Sequence, residues 1–188
     1  MRPFLLFLSA GLVPAPGCKG DPRVINHYQV TVPKEWKSWS LSIPPPQVPG
    51  KVLEAYDVPS QGGSGSLVFF RSSYLPDTRA QELLTQTRYL VLNLPSLNIE
   101  EAKEIEVGGK PAVLLSAVAA GNGRELAPTG LGKPQLTAGA PTVETRRIWV
   151  RVPRGREEGT FEVLFHCPER EFGSLASAWQ GVLESLQP

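Results

Sequence analysis

The chain has 188 residues, with 19 Lys and Arg against 18 Asp and Glu and a formal charge of +1. A nucleic-acid binder normally carries a basic excess, so this balance argues against one. The hydrophobic share is 41%, and no apolar run reaches the roughly 18 residues that span a bilayer, which points to one ordinary globular domain.

Met1 and Arg2 give a short positive start, and Pro3 to Val13 is mostly apolar. That stretch is too short to cross a membrane and has the length of a signal-peptide hydrophobic region. Ala15, Pro16 and Gly17 follow, then Cys18. Residues 1–17 are expected to be a signal peptide. The segment resembles the cleavage box of bacterial lipoproteins, where a small residue precedes a cysteine that is diacylated and becomes the new N-terminus. Gly17 fits that pattern, whereas Ala15 stands where Leu is usual. The resemblance implies lipidation of Cys18, export, and a membrane anchor facing the periplasm or cell exterior. An ordinary secretory signal cut before Cys18 is the alternative, and a cytosolic chain with an apolar start is the third.

Residues 18–26 are expected to be the lipidated cysteine and a polar tether, and residues 27–188 a single domain. Tyr28, Val30 and Val32 alternate as a strand does, and Pro33-Lys34-Glu35-Trp36 breaks it. Trp39, Leu41 and Ile43 alternate again before a Pro-rich run over 44–50, expected as polyproline II. Strands over 51–58 and 66–71 are joined by a Gly-rich loop. Asp77 is a good N-cap for a helix over 78–92. Strands over 99–107 and 111–118 flank Gly108-Gly109, a hairpin signal. Residues 112–120 are apolar on both faces and are expected at the centre of the sheet. The stretch 121–141 lacks periodicity and reads as a long loop, of the length often tied to function.

A strand over 143–152 leads into the segment that organises the rest. From Thr160 to Cys167, Phe161, Val163, Phe165 and Cys167 face one way, and Glu162, Leu164 and His166 the other. Pro168 stops the strand. Phe172, Leu175, Ala176, Trp179, Val182, Leu183 and Leu186 then recur at helical spacing over 169–186. Strands, helix, strands, helix, with hairpins throughout, predict an α+β domain with a mainly antiparallel sheet.

Few residues carry chemistry. The histidines are His27 and His166, and a metal would need a third ligand brought in by folding. Cys18 and Cys167 are far apart in sequence, so no CxxC motif exists. His166 and Cys167, as strand neighbours, face opposite ways and cannot pair as base and nucleophile. Cys167 reads as a small buried hydrophobe. A Cys18–Cys167 disulfide is open only if Cys18 carries no lipid. The glycines at 62–65 and 130–132 complete neither a nucleophile elbow nor a phosphate loop. No catalytic, metal or cofactor site is expected.

The charged feature is Arg146, Arg147, Arg151, Arg154 and Arg156. On a strand, Arg147, Trp149 and Arg151 share one face, and Ile148, Val150 and Val152 fill the other. A surface built of Arg147, Trp149, Arg151, Arg154 and Arg156 can receive an anionic ligand or an acidic partner. The plainer reading is a solvated face whose charges deter aggregation.

The strand end Val32-Pro33-Lys34-Glu35-Trp36 resembles the P-x-x-W opening of the PsbP-like superfamily and its DcrB-like lipoproteins. The hairpin Gly108-Gly109-Lys110-Pro111-Ala112 resembles that family's v-x-G-x-p-a step, and the strand and helix from Phe161 to Leu186 match in kind. The resemblance implies a central, mainly antiparallel sheet flanked by helices, an α/β/α sandwich. Members are typically non-enzymatic accessory subunits near membranes. The chain is thus expected to be an exported, lipid-anchored accessory module with a protein partner at the membrane. The alternative is an extracytoplasmic small-ligand binder using loop 121–141 and the arginine-rich strand 146–156.

Overall fold

A computed structural model describes residues 20–39, 48, 50–61, 65–72, 84–85, 97–120, 144–154 and 158–188. They hold strands β1 (Gly20–Ile25), β2 (Tyr28–Pro33), β3 (Lys37–Ser38), β4 (Lys51–Val58), β5 (Gly65–Ser72), β6 (Leu97–Val107), β7 (Lys110–Ala120), β8 (Glu144–Pro153) and β9 (Thr160–Pro168). A 3₁₀ turn at Glu169–Glu171 leads into helix α1, Phe172–Ser185. β1 and β2 form a separate hairpin, and the other seven strands form one sheet in the order β3-β4-β5-β9-β8-β7-β6. Every pairing is antiparallel.

β9 lies at the middle of the sheet and is buried at all nine positions. Its Phe161, Val163, Phe165 and Cys167 enter the larger core, under α1. Its Leu164 enters a second core on the opposite face, with Ala55, Val68, Phe70, Leu115, Ala117 and Trp149. The alternation expected from the sequence is therefore the division between two cores. Pro168 ends the strand without needing a ladder donor.

α1 follows because its apolar residues recur every three or four positions. Trp179, Val182 and Leu186 are buried, and the Trp179 ring stacks on Phe165 with centroids 5.2 Å apart. Glu169 and Glu171 precede the helix, where carboxylates suit its positive end.

The expected tether is a strand. Gly20–Ile25 pairs with β2 along its whole length through a turn at Asn26 and His27, both at positive φ. Asn adopts this conformation more readily than most residues, but His27 hides the turn in a sequence scan. Tyr28, Val30 and Val32 pack under α1, with Tyr28 stacked on Phe161 at 4.5 Å. Gln29 and Gln187 exchange backbone hydrogen bonds of 2.7 and 3.0 Å, and the Thr31 amide donates to Ser185 Oγ at 2.8 Å. The first and last described segments thus hold each other.

β7 is one strand in from the β6 edge, not central as its composition suggested. It is apolar on both sides because both faces of the sheet are covered there: Ala112 and Leu114 join one core, Leu115 and Ala117 the other. Gly108 and Gly109 make the β6–β7 turn at positive φ, as expected. A Cβ on Gly108 would also fall 2.9 Å from the Leu186 carbonyl oxygen, so no larger residue fits.

Of the helix expected over 78–92, the described residues include Leu84 and Thr85, which are helical. The loop 121–141, the Pro-rich run over 44–47, the signal-like segment and Cys18 lie outside the described residues. The fold shown is a mainly antiparallel sheet with α1 packed on one face.

Trp179 sets the fit between α1 and β9. Trp179→Ala should leave a cavity and lower stability by about 3–5 kcal/mol, read as a shifted denaturant midpoint. Coincident midpoints would place Trp179 outside the core.

Candidate functional site

β8 places its arginines on two different faces. Arg146 and Arg154 lie on the α1 side, while Arg147 and Arg151 lie on the other with Trp149, as strand alternation demands. Arg156 lies outside the described residues. The four described arginines do not share one face of the sheet.

Arg146 acts as a clamp. Its Nε and Nη2 donate to the two Glu169 carboxylate oxygens at 2.7 and 2.6 Å, a forked pair. Its Nη1 donates to Glu100 and, at 3.1 Å, to Ser116 Oγ. The guanidinium also sits 4.9 Å above the Phe172 ring. One side chain so ties β6, β7 and β8 to the 3₁₀ turn and α1. Arg154 does the same for the hairpin: Nη1 donates to the Asn26 carbonyl at 2.6 Å, Nη2 pairs with Glu158 at 2.5 Å, and the group lies 5.3 Å over Tyr28.

On the far face, Arg151 and Trp149 are buried at 2% and 4% exposure, so they cannot form an open docking surface. They serve a carboxylate instead. Glu162 of β9 is fully buried, directly across from Arg151. Trp149 Nε1 donates to Glu162 Oε2 at 2.6 Å, and Ser72 Oγ donates to Oε1. Arg151 Nε lies 3.3 Å from Oε2, an ion pair, and its guanidinium stacks 4.6 Å over Trp149. Burial pushes the Glu162 carboxyl above the usual range, against the opposing charge of Arg151 and the Ser72 and Trp149 donors. Each carboxylate oxygen of Glu162 thus has a partner within this group.

The second polar group on that face is different. His166 and Ser66, each 2% exposed, lie opposite one another on β9 and β5, and Arg147 lies opposite His166 on β8. Among the described residues, neither His166 nitrogen nor Ser66 Oγ has a hydrogen-bond partner. Burial, and then the Arg147 charge, lower the His166 pKa from 6.5 to about 3. Sequence reasoning placed His166 on this face but did not bring Ser66 to it, because the β5–β9 register joins residues a hundred apart.

Cys167 faces the other core as a free thiol, its pKa raised to about 12 by burial and by Glu169 and Glu171. It lies on the opposite side of the sheet from His166. No group of three or more metal-binding side chains occurs among the described residues.

Comparison with solved structures settles the architecture. The solution structure of cyanobacterial PsbP (CyanoP) from Synechocystis sp. PCC 6803 superposes with a TM-score of 0.53 at 10% identity, over 95% of this chain and 96% of that one. The fold is PsbP-like. LpqN of Mycobacterium tuberculosis, involved in cell envelope biogenesis, matches with a TM-score of 0.52 at 14% identity, over 92% and 88%. The Pseudomonas aeruginosa protein PA94, of unknown function, matches at 0.55 and 14%, over 90% and 96%. No family model and no curated protein matches the sequence. The PsbP-like resemblance read from the P-x-x-W and Gly-Gly segments thus holds for the fold.

Two measurements probe the buried polar groups. Arg151→Met removes the counter-ion of Glu162 and should cost about 3–5 kcal/mol. Adding Glu162→Gln should recover part of that loss, since the neutral amide needs no counter-ion and its one carbonyl oxygen can still accept from Trp149; additive losses would show the pair uncoupled. The second is a pH profile. The unfolded chain binds a proton at His166 near pH 6.5, and the native state not until about pH 3. Stability should therefore fall as pH drops below 6.5, by up to about 1.4 kcal/mol per unit. His166→Gln should flatten that slope in denaturant unfolding between about pH 7 and pH 5; an unchanged slope would mean the native imidazole already protonates.

Proposed function

We propose that this chain is an exported, lipid-anchored, non-enzymatic accessory module at a bacterial membrane surface. The observation that carries this reading is that β1 of the PsbP-like fold includes Gly20, two residues after Cys18. Two residues reach at most about 7 Å. An acylated Cys18 would then hold the end of the β1–β2 hairpin, at Gly20 and Pro33, close to the lipid headgroups. Two acyl chains on one cysteine supply stable attachment, which a single chain does not. The domain then needs no spanning helix, and among the described residues no helix is long and apolar enough for one. The envelope setting draws on LpqN, which is involved in cell envelope biogenesis.

An accessory rather than enzymatic role is supported by where the reactive side chains go. Cys167 and His166 face opposite cores, and Arg146, Arg151 and Arg154 are committed to internal carboxylates and rings. The partner is a protein held at the same membrane.

Mass spectrometry of the mature N-terminus tests the anchor. The expected species begins at Cys18 and carries acyl chains, and Cys18→Ser should lose them while the domain still folds. An unmodified Cys18, or a cytosolic chain starting at Met1, would overturn the reading.

A further inference from the structure

On the sheet face away from α1, Asp57, Ser66, His166, Arg147 and Ala117 lie side by side in one row across five strands. Two rows further along the same face come Phe70, Glu162 and Arg151, in register. An apolar row of Ala55, Val68, Leu164, Trp149 and Leu115 separates them. Both polar rows are deeply buried at β9, yet they differ in one respect. The Glu162 carboxylate is met by Trp149, Ser72 and Arg151. Ser66 Oγ and both His166 ring nitrogens find no hydrogen-bond partner among the described residues.

A buried polar group left unpaired is costly, and native structures seldom keep three together. We propose that Ser66, His166 and Arg147 form a binding site for a small molecule bearing an oxyanion, either a carboxylate or a phosphate.

Each residue has a part. Arg147 is half-buried, so it keeps contact with solvent and supplies the positive charge and forked donors that oxyanions fit. The Ser66 hydroxyl donates a second hydrogen bond. The imidazole of His166, held neutral, donates from one nitrogen and accepts at the other. It would therefore also recognise a hydroxyl carried beside the oxyanion. Neighbouring strands are about 4.8 Å apart, so the three donors span roughly 10 Å, the size of a small metabolite. Ala117 beside Arg147 is a small neighbour on the β7 side. Asp57, exposed at the other end of the row, repels an anion from that end and leaves Arg147 as its seat. The site stands apart from the anchor and holds whether or not Cys18 is acylated.

The test is an NMR titration of the histidine ring nitrogens in the whole protein, with sodium acetate and with inorganic phosphate at constant ionic strength. The chain has only His27 and His166, and His27 sits on an exposed turn, where it reports non-specific effects. A saturable shift at His166, absent at His27, is expected with one of the two anions, and the responding one names the class. Arg147→Gln should weaken that binding about tenfold or more, as expected for losing a charge-assisted contact. Ser66→Ala removes only an unpaired hydroxyl and should fold normally; it should weaken binding severalfold, and it decides the matter if Arg147→Gln does not fold. No saturable shift with either anion, or the same affinity in Ser66→Ala as in the unaltered protein, overturns the site and leaves the row to an internal water.

Discussion

Strand β9 meets water at none of its nine residues, and the structure is arranged around that condition. A strand at the middle of a sheet spends its backbone on two neighbours and its side chains on two faces. One face of β9 offers Phe161, Val163, Phe165 and Cys167, which the stripe of α1 and the hairpin residue Tyr28 cover. The other offers Glu162, Leu164 and His166, of which only Leu164 is apolar. The first face needs a hydrophobic lid, and the chain supplies it at once in α1. The second needs partners for a carboxylate and an imidazole, and Glu162 finds its own on β8, the preceding strand, and on β5, distant in sequence.

Arginine meets much of this demand. Arg151 neutralises Glu162 within the sheet, and Arg146 and Arg154 fasten α1 and the hairpin from the opposite face. Buried ion pairs add little net stability over apolar residues of the same size. Their removal one partner at a time is nonetheless severe. The cluster of basic residues that reads from the sequence as a surface is thus mostly internal fastening. Among the described arginines of the cluster, Arg147 combines partial exposure with unsatisfied buried neighbours, and so it marks a place where a ligand has something to gain.

The PsbP-like fold explains how one sheet can host both roles. Its neighbours share 10 to 14% of their residues with this chain, so the architecture persists while side-chain identities do not. Packing constrains a core by volume and pattern more than by identity. Function on such a scaffold resides in particular rows of side chains, not in the fold.

Local pattern determined much of this protein. Alternation over 160–167, helical spacing over 172–186 and the Gly108-Gly109 turn each depend on near neighbours, and each is where the sequence places it. The P-x-x-W segment carried the fold resemblance for the same reason. Tertiary structure decided what depends on register. Gly20–Ile25 carries a glycine, a proline and two charged residues and is exposed from Asp21 to Val24, so nothing in its own pattern separates a strand from a tether; only pairing with β2 does. Residues 112–120 are apolar on both sides whether a strand is central or merely covered, so composition could not give β7 its position. Residues far apart in sequence, Glu162 with Ser72 and His166 with Ser66, become neighbours only when β5 and β9 align, because cross-strand contact is a property of two strands and is encoded in neither alone.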